Sequence, residues 1–245
     1  MTDLHSHFLP GIDDGAKNAA ESIDMLKSAY SQGVSLCAAT PHCVIHHDDS
    51  IEKFLEKRGK SYEVLMSEIR NRGAGSQIPE ILTGAEIYLD NDISDCRNLK
   101  DLCITGTNVL LLELPTEKYD RRYADRIYSL SICGFTPLIA HIDRYEWYES
   151  LIKDIRGMKV VYQINASNFL SFFGRRRIKK ILQAGYGGRF LVSSDMHNTS
   201  VRACNMAKAF EKSRHILESD GTAGTESLFN DCARRLISGE FGSQN

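Results

Sequence analysis

Two patterns of apolar residues alternate along this chain. Short apolar runs, the length of a strand buried on both faces, are separated by stretches in which apolar residues recur every three or four positions, as on a helix. The runs cover residues 3–7, 34–39 leading into Thr40-Pro41-His42, 81–88, 109–115, 135–141, 160–165 and 189–197. The first helical stretch carries Ile23, Leu26 and Tyr30 on one face, with Asn18 and Glu21 in capping-box spacing before it and Gly33 to end it. The second places Ile51, Phe54, Leu55, Tyr62, Leu65 and Ile69 in register and stops at Arg72-Gly73. Further helices are expected over 120–132, 146–158, about 175–184, 201–213 and 225–238. Seven strands alternating with helices, each strand apolar enough to be buried on both sides, predict an α/β fold with a parallel sheet covered by helices.

A closed barrel explains more of the pattern than an open sheet. His5 and His7, His42, Glu86, Glu113, His141, and Asp195 with His197 all fall at or near the C-terminal ends of the expected strands. In a barrel those ends converge on one face. An open doubly wound sheet would spread them along a crevice, and the chain lacks the Gly-rich phosphate loop that such folds use.

Composition narrows the picture by exclusion. The length of 245 residues, with no repeat, low-complexity tract or linker, suits a single domain over 1–245. A formal net charge of −2 exerts no global pull on nucleic acid or anionic membrane, so any basic site is local. The seven cysteines form no CxxC pair and sit in apolar surroundings, which predicts buried reduced thiols and a cytoplasmic location. No apolar leader segment or membrane span is expected.

The chemistry starts at the N-terminus. His5-x-His7 puts two imidazoles on one side of a strand, and Pro10, Gly11 and Gly15 mark a turn that carries Asp13 and Asp14 back toward them. Each strand-end residue has an ordinary structural reading, such as a buried ion pair for Glu113. Jointly that reading is poor, because a buried carboxylate or imidazole costs several kcal/mol unless paired or metal-bound. The cores of the strand runs contain no Lys or Arg to neutralise Glu86 or Glu113.

A donor set of imidazoles and carboxylates without thiolate suits Mn2+ first, with Fe2+, Zn2+ or Mg2+ as alternatives. There are more donors than one ion uses, so two or three ions sharing a carboxylate are expected, an arrangement that activates water and clamps a phosphoryl group. Arg144 and Arg202, on loops that follow strand ends, are placed to take phosphate oxygens through a guanidinium fork.

These motifs resemble a known family. His-x-His-x-Leu-Pro-Gly-Ile-Asp-Asp-Gly at 5–15, Ala-Thr-Pro-His at 39–42, Gly-Ala-Glu-Ile-Tyr at 84–88, Ala-His-Ile-Asp-Arg-Tyr at 140–145, Gln-Ile-Asn-Ala-Ser at 163–167 and Ser-Asp-Met-His-Asn at 194–198 resemble the PHP (polymerase and histidinol phosphatase) superfamily. Within it the chain is most similar to the manganese-dependent protein-tyrosine phosphatases of bacterial capsule and exopolysaccharide loci, the CpsB/CapC type.

The resemblance implies a distorted (β/α)7 TIM-like barrel of the PHP type and a trinuclear centre. His5, His7, Glu86 and Asp195 would hold one ion, Glu86 would bridge to a second held by Glu113 and His141, and Asp14, His42 and His197 would hold the third. Arg144 and Arg202 match the family's phosphate-binding arginines. The implied substrate is phosphotyrosine on the C-terminal tail of a cognate bacterial tyrosine kinase, and an oligomer is allowed. Cys43 stands where the family usually has a second His, and Ala203 where it usually has Pro.

Thiol-based tyrosine phosphatase chemistry is ruled out, because no cysteine has Arg six positions on; a Gly-x-Ser-x-Gly elbow is also absent. The runner-up activity is a small-molecule phosphomonoesterase of the histidinol phosphatase kind. A nuclease reading of the basic run at 174–180 is disfavoured by the near-neutral chain, and that run is read as a solvated helix face or a docking surface for an acidic tail. A catalytically dead phosphotyrosine-binding module is disfavoured by the intact donor set.

Overall fold

In the computed structural model, which describes residues 1–184, 189–217 and 224–240, two of the expected strands are each broken once. The run through His42 forms β2 (Leu36–Ala39) and β3 (His42–Val44), interrupted at Thr40-Pro41. The run at 81–88 forms β4 (Glu80–Thr83) and β5 (Glu86–Tyr88), interrupted at Gly84-Ala85. The breaks lie side by side, because β2 pairs with β4 and β3 with β5. Pro41 has no N–H to give the ladder. The backbone stays bonded across the gap through Gly84 N–H to Ala39 O (2.8 Å) and Glu86 N–H to Pro41 O (3.0 Å).

The other strands are β1 (Thr2–Ser6), β6 (Val109–Glu113), β7 (Thr136–Ile139), β8 (Val161–Asn165) and β9 (Arg189–Ser193). All pairings are parallel, in the orders β1-β2-β4 and β3-β5-β6-β7-β8-β9. The last strand is joined to the first by a parallel bridge between Ser6 and Met196. Backbone bonds from Asp195 N–H to His5 O and from His7 N–H to Met196 O, both 2.9 Å, continue that seam. Below them, Leu4 N–H donates to Ser193 Oγ and Ser194 N–H to Asp3 Oδ1, each at 3.0 Å. The seven strand segments of the sequence pattern thus run side by side as an α/β fold whose first and last members meet.

Both faces of most strands are buried, as their apolar runs require, whereas β4 is only partly covered and β3 exposes Val44. In β6, Val109 and Leu111 belong to an inner cluster with Leu4, Ala38, Leu138, Ala140, Val161 and Leu191, whereas Leu110 and Leu112 join the layer beneath the helices. That outer layer takes Ile23 and Leu26 from α1 (Ala19–Ser31), Ile51 and Leu65 from α2 (Asp48–Asn71), Ile127 and Leu130 from α3 (Arg122–Ile132), and Ile178 and Ile181 from α5 (Phe172–Ala184). Ala233 and Leu236 of α7 (Cys232–Ser238) pack on the inner cluster. The caps follow the sequence: Asn18 Oδ1 accepts from Glu21 N–H (3.0 Å), and Gly33, Gly73 and Gly134 take the left-handed conformation just past α1, α2 and α3.

Three local expectations are corrected. The helix expected over 146–158 is the shorter α4 (Tyr148–Asp154), ending ahead of a turn in which Gly157 has φ +85°. The helix expected from residue 201 begins later, as α6 (Met206–Leu217), because the Asn198 side chain accepts from Ser200 and Arg202 N–H (3.0 Å each) and holds 198–202 as a turn. Cys133 is exposed, and Cys96 and Cys232 are half-buried, against the expectation that all seven thiols are buried; all seven are free. No helix among the described residues is long and apolar enough to cross a membrane.

Candidate metal centre

The site forms at the C-terminal ends of the strands. β1 delivers His5 within the strand and His7 just beyond it, while His42 and Glu86 open β3 and β5 beside one another in register. Glu113 closes β6, His141 follows β7, and Asp195 and His197 follow β9. Three non-glycine residues among those described adopt positive φ, and two of them, His141 (31°) and Asp195 (52°), are here. Such conformations are unfavourable for L-residues and persist where surrounding structure enforces them.

Glu86 is the hub. Its side chain is 1% exposed, and Oε2 lies 3.2 Å from His5 Nε2, 3.2 Å from His7 Nε2 and 3.0 Å from His42 Nδ1. Oε1 lies 2.9 Å from His141 Nε2, which is also 3.4 Å from Glu113 Oε1. Asp195 Oδ1 is 3.6 Å from Nε2 of both His5 and His7, and Asp14 Oδ1 is 3.3 Å from Nε2 of both His42 and His197.

Donor atoms converge in three overlapping sets, each mutually within 4.8 Å: His5, His7 and Glu86; His42, Glu86 and Glu113; and His7, Asp14, His42 and His197. The sets differ from the expected partition in that His42 also faces Glu86 and Glu113, and His7 also faces Asp14 and His197. Asp195 and His141 approach from the margins.

The arrangement suits cations. The buried atoms Glu86 Oε2, His141 Nδ1 and His197 Nε2 have no hydrogen-bond partner, and such groups are expensive unless something else satisfies them. The His5 and His7 Nε2 atoms face each other at 3.2 Å, close enough to chelate one ion. Burial alone would lower the His5 pKa, but the Glu86 and Asp195 charges outweigh it and push it up to about 9. Burial likewise opposes the His42 imidazolium, and Glu86 raises it to about 9. Glu86 is held well below the carboxylate range despite its burial, by the His5 charge and the His141 and His42 imidazoles. The protein thus concentrates negative charge and offers imidazole nitrogens around it, a hard and borderline donor set matching Mn2+, Fe2+ or Zn2+.

Supporting residues hold the donors in place. His7 Nδ1 lies 2.7 Å from Asp13 Oδ2, which also accepts from His42 N–H (3.1 Å). His5 Nδ1 lies 3.0 Å from Gln163 Oε1, which accepts from His141 N–H (2.6 Å), and Gln163 Nε2 in turn donates to Asn165 Oδ1 (2.8 Å). Such partners fix tautomer and orientation in metal sites. Gln163 and Asn165 were given no role from the sequence. The signal was present, however: two amides two residues apart at the end of an otherwise apolar strand. Gly15 is fixed by a close approach, since a Cβ there would stand 1.9 Å from His7 O.

Arg144 and Arg202, expected to face a phosphate, both lie against Asp195. Arg144 Nη2 donates to Oδ2, and Arg202 Nη2 reaches Oδ1 and Oδ2 at 3.0 and 3.1 Å. Arg202 Nη1 is also 3.5 Å from Asp14 Oδ2. Burial opposes the Asp195 carboxylate, but the His5, Arg144 and His7 charges outweigh it and hold the carboxyl far below its ordinary pKa. Both guanidinium groups remain about one-third exposed at the edge of the donor cluster.

Known proteins resemble this chain in sequence and in fold. The tyrosine-protein phosphatase CpsB of Streptococcus pneumoniae is 29% identical over 249 residues, covering 97% of this chain and 98% of that protein. The tyrosine-protein phosphatase YwqE of Bacillus subtilis is 27% identical over 243 residues, covering 97% and 91%. In fold, the chain matches a structure from work on YwqE and S. pneumoniae CpsB, described as unique metal-dependent tyrosine phosphatases, with a TM-score of 0.73 at 24% identity over 97% and 94% of the two chains. It also matches histidinol phosphate phosphatase from Lactococcus lactis, solved with zinc, L-histidinol and phosphate, with a TM-score of 0.58 at 13% identity over 91% and 94%. Residues 1–238 match the family described as capsular polysaccharide synthesis, CpsB/CapC, and the chain belongs to that family.

Proposed function

We propose that this chain is a metal-dependent protein-tyrosine phosphatase, one catalytic domain over 1–245, that removes phosphate from tyrosine on a cognate bacterial tyrosine kinase controlling capsule or exopolysaccharide synthesis. The C-terminal tail of that kinase is the substrate segment and the cytoplasm the compartment. The observation that carries the reading is Glu86, a buried carboxylate ringed by four imidazoles and, among the described residues, in no ion pair with Lys or Arg. His5, His7, Asp14, His42, Glu86, Glu113, His141, Asp195 and His197 would hold two or three Mn2+ ions. Bound there, such ions supply an activated water and charge compensation for the phosphoryl oxygens.

The chain's own residues do the rest. Arg144 and Arg202, at the edge of the cluster, bind non-bridging phosphate oxygens and hold the ester in line. Asp13 and Gln163 keep His7 and His5 oriented. The buried thiols take no part: burial pushes Cys43 and Cys204 up to about 12, and such thiols are inert.

The test is turnover of a phosphotyrosyl peptide by protein reconstituted with Mn2+. Activity should vanish in EDTA, return with Mn2+ and survive iodoacetamide. Faster turnover of histidinol phosphate than of the peptide would move the assignment to a small-molecule phosphatase.

A further inference from the structure

The loop after β8 carries a feature that the chemistry above does not use. Phe172 and Phe173, at the start of α5, are 66% and 80% exposed, with their rings edge to face at 5.7 Å. Among the large apolar residues described, only Val201, beside Arg202, is more exposed than Phe173, at 89%, and Ile132, at 68%, is level with Phe172. Two Phe side chains left in water forgo a favourable burial.

Strand order explains where they stand. β8 lies between β7 and β9, so its C-terminal loop lies between the loop that carries Arg144 and the loop that carries Arg202. The loop is held firmly. Asp143, the residue before Arg144, accepts from Asn165 N–H (3.0 Å) and from the Asn168 amide. Gly174 N–H donates to Ser171 Oγ (2.9 Å), and a Cβ on Gly174 would stand 2.1 Å from Asn168 O. The two rings are therefore presented on a fixed turn. α5 then runs Arg175-Arg176-Arg177-Ile-Lys179-Lys180 with no Asp or Glu in the helix, and Arg176 faces solvent.

We propose that this turn is the docking surface for the polypeptide around the phosphotyrosine: the Phe172–Phe173 pair seats an apolar side chain of the substrate, and Arg176 takes an acidic one. The inference rests on the phosphatase reading. A phosphate held between Arg144 and Arg202 brings the residues flanking its tyrosine over the β8 loop, and the charge of α5 complements an acidic segment.

The experiment compares two substrates on the Mn2+-loaded full chain: p-nitrophenyl phosphate, which reaches only the centre, and a phosphotyrosyl peptide with Asp, Glu and Leu beside the phosphotyrosine. The double variant Phe172→Ala with Phe173→Ala should raise KM for the peptide roughly tenfold, the worth of one seated apolar side chain, with kcat/KM for p-nitrophenyl phosphate held within about twofold. Phe172→Leu with Phe173→Leu should restore most of the peptide KM. Arg176→Glu should raise it by a smaller factor that shrinks in high salt.

An unchanged peptide KM in the Ala variant overturns the proposal, as does an equal loss on both substrates. Loss of binding to phosphatidylglycerol vesicles, or of self-association in light scattering, with peptide KM unchanged, assigns the turn to a membrane or a second copy instead. Failure of the wild-type protein to hydrolyse either substrate defeats the phosphatase reading, and this one with it.

Discussion

Within β6, Val109 and Leu111 pack in the inner cluster with Leu138, Val161 and Leu191, whereas Glu113, the next residue on that face, lies among imidazoles. The lower region is apolar and its side chains are covered by α7. The upper region gathers carboxylates and imidazoles and leaves Glu86 Oε2, His141 Nδ1 and His197 Nε2 unsatisfied. A fold stabilised by its lower half tolerates an upper half built against local stability, because the same strands position both. The difference predicts that substitutions in the two halves have separable effects.

The largest effect on activity is expected at Glu86. Glu86→Gln keeps the shape and removes the charge shared by two of the three donor sets, so turnover should fall at least about 10²-fold. Bound metal, measured by mass spectrometry, should fall with it. Full metal content in that variant would break the contrast at its centre. The reverse case is Leu138→Ala, which opens a cavity in the lower cluster and should lower unfolding stability by about 2–5 kcal/mol in urea with metal stoichiometry unchanged.

Gly15→Ala links the halves, since its Cβ would collide with the His7 carbonyl. It should cost about 1–3 kcal/mol in overpacking and also weaken metal binding, read as a rightward shift in the Mn2+ dependence of turnover. Loss of stability without that shift would make the turn scaffolding only.

The smallest effect is on pH dependence. His5 and His42 both titrate near 9 in the metal-free fold, above the unfolded value of 6.5. Groups raised in this way stabilise the fold fully below pH 6.5, and that contribution is lost as pH climbs toward 9. His197, held down to about 4 by burial and the His7 charge, works the other way: the cost of keeping it neutral fades as pH rises past 6.5, which offsets a small part of the loss. The Tm of protein in EDTA should therefore drop by a few degrees from about pH 6.5 to 8, below the range where unfolded thiols ionise. With Mn2+ present the drop should shrink, because the ions take the place of the protons. A flat metal-free profile would mean that these imidazoles do not share Glu86.

Much of this was legible in the residues. The order of the strand runs, the Asn18 cap and the glycine stops rest on local chemistry, and the strand-end histidines and carboxylates declared themselves by their cost in apolar company. What was hidden depends on partners distant in sequence. Pro41 and Gly84 read as single features, yet their breaks align only because β2 pairs with β4 and β3 with β5. The contact of Arg144 and Arg202 with Asp195 needs loops from two strands to meet. The turn at 198–202 won over helical spacing through one Asn198 side chain, a local competition that apolar periodicity does not register.

The seam between the first and last strands bears on how the molecule is made. His5 and His7 are made nearly two hundred residues before the backbone that bonds to them, at Asp195 and Met196. At about 5–20 residues per second, a nascent chain spends roughly ten seconds or more with its first histidines exposed and their eventual neighbours unmade. The full set of donors therefore exists only once the ring has closed on its last strand, whatever the first strand has met before then.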